Sequence, residues 1–153
     1  MKFYVHSHCG GDKALSSALQ AEIEAAIDSI TVKPKNGAAT KVRDAFLGSL
    51  KTLGWPGELA VSRDSDITIT SCKSEVGLCC QTGNMARIYA DLIKLQTLYL
   101  ERAIRGAAIV LPSTPMAKLL GSNIAQAKRL ERELDIFKKA YQVPTLVYAL
   151  ESS

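Results

Sequence analysis

The spacing of apolar residues changes period several times along the chain, and each change predicts an element. Ile67 and Ile69 alternate with Asp66, Thr68 and Thr70, the period-2 rhythm of a half-buried strand. Residues 71–74 are short, polar and turn-like, and a second strand is expected over residues 75–82, closed by Gly83 and Asn84. On that second strand Val76, Leu78, Cys80 and Thr82 share one face, while Glu75, Gly77, Cys79 and Gln81 share the other. The pair reads as a β-hairpin that feeds directly into the strongest helical pattern of the chain. Over residues 85–102, Ile88, Leu92, Leu95 and Tyr99 follow one face, and Ile93, Gln96 and Leu100 widen it. An apolar surface that wide predicts burial on two sides, against the core and against a second subunit.

The remaining elements follow from the same periods. Residues 1–8 read as a short strand. Asp12 is a plausible N-cap for an amphipathic helix in which Leu15, Leu19, Ile23, Ile27 and Ile30 recur at three- and four-residue steps. Residues 31–40 read as a loop. A helix over residues 41–53 turns Val42, Phe46 and Leu50 inward, and Gly54 stops it as a C′ glycine. Trp55, Pro56 and Gly57 make a turn, and residues 58–63 lead into the hairpin. Residues 107–111 are continuously apolar, as in a central parallel strand. Residues 112–123 read as a loop or broken turn. Residues 124–139 form a helix using Ala127, Leu130, Leu134 and Phe137, with Arg129 paired to Glu133. Residues 144–150 make a last strand. The order predicts an α/β fold, a mixed central sheet with helices on both faces.

Composition narrows the class without naming it. The 153 residues, 47% hydrophobic and 22% charged, suit one domain over residues 1–153 with one sizeable core. No apolar run is long enough to span a membrane. The opening residues Met1 to Val5 are too short and polar for a signal peptide, so a cytoplasmic location and reduced thiols are expected. The net charge of +4 permits an anionic partner without demanding one. Lys33, Lys35, Lys41 and Arg43 could form a phosphate-contacting patch or a solvated loop. His6, His8 and Cys9 could ligate a metal only with a further ligand, Cys72 or the Cys79 and Cys80 pair. Their spacing matches no common zinc pattern, so a bland strand end is the better expectation. Nothing basic lies beside Cys79 in sequence to activate its thiol, and buried cysteines behave as small apolar residues.

Several stretches together carry a resemblance. Q-T-G-N-M-A-R-I-Y-A-D-L-I-K-L-Q-T-L-Y, A-I-V-L-P, G-S-N-I-A-Q-A-K-R-L-E-R-E-L and V-P-T-L-V-Y-A-L, with the L-G-W turn before the hairpin, are similar in sense and spacing to the BglII/BamHI-type restriction endonucleases. The resemblance covers nearly the whole chain. It implies a restriction-endonuclease-like PD-(D/E)XK three-layer sandwich, magnesium-dependent cleavage of double-stranded DNA, and a homodimer acting on palindromic sites. It also implies that Ser122 and Asn123 lie near base edges, with Lys33, Lys35, Lys41 and Arg43 on phosphates.

The family's active site lies on this hairpin, as an acid on the first strand and E-x-Q on the second. Anchoring on Gly83 and Asn84 puts Gln81 at the family glutamine, Cys79 at the glutamate, and Thr68 or Thr70 at the first acid. Both magnesium-binding carboxylates are then missing, and a thiol and a hydroxyl are poor ligands for a hard cation. A second register uses Asp66 and Glu75, puts Gly77 at the glutamine, and needs a four-residue insertion before the helix. The preferred reading is therefore a family fold with lost or weakened nuclease activity that binds DNA or a partner protein. The alternative is an active magnesium-dependent endonuclease using Asp66 and Glu75.

Overall fold

The computed structural model describes residues 1–152. Strands β1 (Lys2–His8), β4 (Ser71–Lys73), β5 (Val76–Cys80), β6 (Gly106–Pro112) and β7 (Thr145–Glu151) form a five-stranded sheet in the order β1-β7-β6-β5-β4. The three inner strands run parallel, and β1 and β4 close the two edges antiparallel. β6 is buried along its whole length at the centre of the sheet, as a continuous apolar run demands. A separate two-stranded ribbon pairs β2 (Leu59–Ala60) with β3 (Thr68–Ile69).

Helices cover both faces. Helices α2 (Ser17–Asp28), α3 (Ala39–Thr52) and α5 (Thr114–Leu120) bury Ile23, Ile27, Phe46, Leu50, Met116 and Leu120 with Val76, Leu78 and Tyr148 of the sheet. Helices α4 (Arg87–Leu100) and α6 (Ala127–Ile136) bury Ile88, Leu95, Leu130 and Leu134 on the opposite face, with Cys79, Ile109 and Val147. The alternation expected on the second hairpin strand is thus present, and both of its faces are covered. The result is the three-layer sandwich expected of the resembled fold.

Several local expectations are corrected. Residues 71–74 are not the hairpin turn. Ser71–Lys73 is strand, and the turn is the pair Ser74 and Glu75, both at positive φ (49° and 63°), the twist that suits a two-residue hairpin. The expected first strand is split at Thr70, so Thr68–Ile69 pairs with Leu59–Ala60 instead of β5. The first helix is also split, into α1 (Gly11–Ala14) and α2, because Leu15 takes an extended conformation and is buried. Ser16, not Asp12, caps α2, accepting from the Leu19 N–H at 3.2 Å. Residues 112–123 contain α5, capped by Ser113 with Pro115 in its first turn. Phe137 lies beyond the end of α6 and is 45% exposed rather than inward.

Partly buried polar contacts tie the elements together on each face. Lys73 Nζ bridges Glu22 (2.9 Å) and the Leu53 carbonyl (2.9 Å), while Trp55 Nε1 donates to the same Glu22 carboxylate (2.9 Å). β4 is thereby tied to α2 and to the end of α3. On the opposite face the Tyr89 hydroxyl donates to Glu133 (2.8 Å) and accepts from Arg129 Nη2 (3.1 Å), linking α4 to α6.

Candidate functional site

A cleft of about 310 Å³ opens where β5 ends, lined by Arg43, Glu58, Thr68, Ile69, Thr70, Cys80, Gln81, Arg87, Ala90, Asp91 and Lys94. It lies beyond the C-terminal end of a parallel strand, where open α/β sheets bind ligands. The hairpin supplies its floor. Continuing the pairing of Ser71 with Leu78 places Thr70 beside Cys79, and the Cys80 N–H donates to Thr70 Oγ1 at 3.0 Å. Gln81 leaves the strand and has both ends of its amide engaged. Its Nε2 donates to Asp91 Oδ2 (3.0 Å), and its Oε1 accepts from the Gly83 N–H (3.2 Å).

α4 supplies the wall. Asp91 is 8% exposed and sits 3.8 Å from Lys94 Nζ through Oδ1. Burial raises its carboxyl above the ordinary value, against the Gln81 hydrogen bond and the charges of Lys94, Arg43 and Arg87, which pull it down. Cys79 is buried under the cleft floor, and burial, reinforced by Asp91, pushes its thiol well above its usual value. Cys80 is pushed up to about 12 by burial, with Arg43 opposing. Both thiols are protonated at neutral pH and are poor nucleophiles or metal ligands.

The structure gathers some of the expected residues and separates others. Thr68, Thr70, Gln81 and Arg43 line one cleft, with Cys79 directly below. Ser122 and Asn123 flank its exit: Met85 N–H donates to the Asn123 carbonyl (2.8 Å), Ala125 N–H to the Gly83 carbonyl (2.8 Å), and Asn84 bridges to Ile124. The loop of Lys33 and Lys35 abuts the same segment, since Gly37 N–H donates to the Leu120 carbonyl (3.2 Å). Thr82 Oγ1 donates to the Ala39 carbonyl (3.2 Å), which brings the start of α3, with exposed Lys41, to the same rim.

Asp66 and Glu75 do not meet. Asp66 is exposed before β3, whereas Glu75 is in the hairpin turn and lines a depression with Tyr99, Leu100, Arg102, Ile104 and Arg105. All of β3 and β4, with the bend at Thr70, lies between them. Gly77, the glutamine position of that register, faces the core. A Cβ there would lie 3.0 Å from Leu95 and 3.3 Å from both Ile104 and Ile69. The His6, His8 and Cys9 cluster fails as a metal site for a similar reason. It stands at the β1 edge, while Cys72 is on β4 at the opposite edge, roughly 20 Å away at ordinary strand spacing. His8 Nε2 instead donates to the Tyr141 carbonyl at 2.9 Å.

Glu58, Arg87, Asp91 and Lys94 were not singled out from the sequence. Asp91 left a signal: it shares a helix face with Ile88 and Leu95, an acid on an otherwise apolar stripe. Glu58 left none.

The cleft does not suit a magnesium ion. Among the described residues no group of three or more His, Cys, Asp or Glu is arranged to hold a metal. The Gln81 carbonyl is occupied, Asp91 is engaged by Gln81 and Lys94, and the remaining carboxylate is Glu58. A dication about 4 Å from one fixed cation is repelled by on the order of 8 kcal/mol at an effective dielectric of about 20. Arg43, Arg87 and Lys94 therefore cancel what Glu58 and Asp91 offer.

The family model described as Restriction endonuclease BglII/BglIII matches residues 3–150. The chain belongs to this family. By sequence, comparison with the curated proteins finds no match. Among solved structures the chain is similar to BglII complexed with a DNA 16-mer, at 14% identity and a TM-score of 0.86, covering 100% of this chain and 79% of that one. It is also similar to free BglII, at 14% identity and a TM-score of 0.79, covering 100% of this chain and 81% of that one. The fold is thus that of the BglII restriction endonucleases.

Proposed function

We propose that this BglII-family chain binds double-stranded DNA as a homodimer and cleaves it with magnesium poorly or not at all. The observation that carries the reading is the composition of the hairpin floor: Thr68, Thr70, a buried Cys79 and a fully engaged Gln81, with no carboxylate among them. Two or more anionic oxygens normally hold the ion that activates water and neutralises the transition-state charge. Asp66 and Glu75 lie outside the cleft lining, which supports the same reading.

DNA is favoured over a protein partner by the rim. Lys33, Lys35, Lys41 and Arg43 approach from one side, Arg87 and Lys94 from α4, and Ser122 and Asn123 sit beside the strand exit between them. Cations serve phosphates, and asparagine can pair bidentately with adenine in the major groove. The homodimer is supported by α4, whose Ile93 (68%) and Leu100 (69%) are exposed beside Phe137 and Ile136 (65%). Ile93, Leu100 and Phe137, with Tyr89 and Tyr141, line an apolar groove.

The test pairs a plasmid-cleavage assay in magnesium and manganese with anisotropy of labelled duplexes. Binding without cleavage is expected. Robust cleavage by wild type, lost on Glu75→Ala and indifferent to Cys79→Ala, would make this an ordinary nuclease of the family.

A further inference from the structure

We propose that the cleft is a direct phosphodiester site, in which Arg43, Arg87 and Lys94 bind a backbone phosphate of DNA without a divalent cation. The inference deepens the DNA-binding reading above and rests on it. Its basis is the mismatch between the family's metal chemistry and the donor set found here.

The cationic side chains come from two helices, α3 and α4, and line one cleft. Lys94 Nζ stands 3.8 Å from Asp91 Oδ1. Arg87 is beside the strand exit, since a Cβ on Gly83 would lie 3.6 Å from Arg87 Nη1 and 3.2 Å from Gln81 Oε1. Arg43 lines the same wall from α3, next to Cys80 and Thr70. Lys94, Arg43 and Arg87 line the same cleft as Asp91, and the charge of each favours its ionised carboxyl. Asp91 is held in place by the Gln81 amide at 3.0 Å. Against these cations the lining offers the carboxylates Glu58 and Asp91, so one positive charge is left over. Thr68 and Thr70 add hydroxyls at the floor. Guanidinium groups are forked donors matched to phosphate oxygens, and lysine adds a point charge. A surplus cation with neutral donors recognises an anion, and a dication in the same place would meet net repulsion.

The site also makes a demand on Glu58 that a metal site reverses. Glu58 is exposed at the rim and opposes an incoming phosphate. Glu58→Gln should therefore tighten DNA binding, whereas loss of a metal ligand would weaken it. The glutamine is nearly isosteric at an exposed position, so the fold is not at risk.

The experiment is anisotropy of a short labelled duplex, titrated across salt in EDTA and again in magnesium. Wild type should bind no more tightly in magnesium than in EDTA, since the dication competes for the phosphates. Arg43→Ala, Arg87→Ala and Lys94→Ala should each weaken every duplex and lower the salt slope by about 1. Glu58→Gln should bind more tightly than wild type in EDTA. Wild type that binds no duplex under either condition overturns the DNA-binding reading and this site with it. Wild type that binds DNA but gains several-fold in magnesium, or a Glu58→Gln variant that binds more weakly, overturns the metal-free site alone. So does a set of cation variants whose affinity and slope match wild type.

Discussion

Asp91 is pulled in two directions. Burial disfavours its charge, while Gln81, Lys94, Arg43 and Arg87 favour it, and burial wins because its carboxyl lies above the ordinary value. The sign of the linkage follows. A carboxyl that is harder to ionise in the folded state costs stability once it is charged, above the raised value, and costs nothing below the ordinary one. Asp91→Asn keeps an oxygen for the Gln81 amide and removes the buried charge. It is expected to be more stable than wild type at neutral pH, with the difference shrinking as pH falls through the raised value towards the ordinary carboxylate range. Urea melts at a series of pH values check this, and a variant less stable at neutral pH contradicts it. Asn123 is a second position where the residue itself matters. Its φ is 55°, in the left-handed region, and its carbonyl accepts from Met85. Deleting its side chain is best done with Asn123→Gly, since alanine would be strained there. If Asn123 reads a base, the glycine variant should lose about 1–3 kcal/mol of discrimination per contacted base, while Lys35→Ala weakens all duplexes alike. Equal losses from both changes on every duplex tested would remove Asn123 from the readout.

Among the elements, α1 is held by an unusually close approach. A Cβ on Gly11 would stand 2.3 Å from both the carbonyl carbon and oxygen of Thr145. Backbone cannot yield as a flexible side chain does, so the start of α1 must move away from β7 or β7 must shift. Gly11→Ala is expected to cost about 1–3 kcal/mol, the usual range for overpacking, measured by chemical denaturation. Gly48, on α3 with open space around its α-carbon, is the control. Gly48→Ala should be neutral or stabilising, because alanine is the better helix former by about 1 kcal/mol. The hairpin shows the same dependence on neighbours. Lys73 is held by Glu22 and the end of α3, and Thr70 accepts from Cys80. These contacts fix which residues reach the cleft.

At the scale of the whole molecule, the outer face of α4 is the feature a single copy leaves unfinished. Ile93 and Leu100 expose about two-thirds of their surface (68% and 69%), beside a groove formed with Phe137 and Tyr141. Tyr89, Glu133 and Arg129 already fix α4 against α6, so the face is rigid before any second copy arrives. A two-fold contact would repeat this patch on itself. Sedimentation at micromolar concentration is expected to show a dimer, and Ile93→Glu or Leu100→Glu a monomer with unchanged helix content. A monomeric wild type removes the dimer from the proposed function and leaves the cleft intact.

The sequence by itself determined the layers and the chemistry of the hairpin floor. Period and burial are linked by geometry, so alternation at Val76 to Gln81, the apolar run at 107–111 and the helical stripes of Ile23, Phe46, Ile88 and Leu130 could be read without coordinates. That Thr68, Thr70, Cys79 and Gln81 carry no carboxylate was equally visible in the sequence. The helix inside residues 112–123 was missed because its seven residues are too short to show a period, though Ser113 and Pro115 mark its start. The turn was misplaced because the Ser74 and Glu75 pair lacks the usual glycine or asparagine. Only the tertiary structure located Glu75 and Gly77 relative to the cleft. A two-residue turn puts Glu75 at the wrong end of the hairpin and Gly77 against Leu95 and Ile104. It alone brought Arg43, Glu58, Arg87, Asp91 and Lys94 together. These residues come from separate elements, and local spacing carries no information about distances closed by packing.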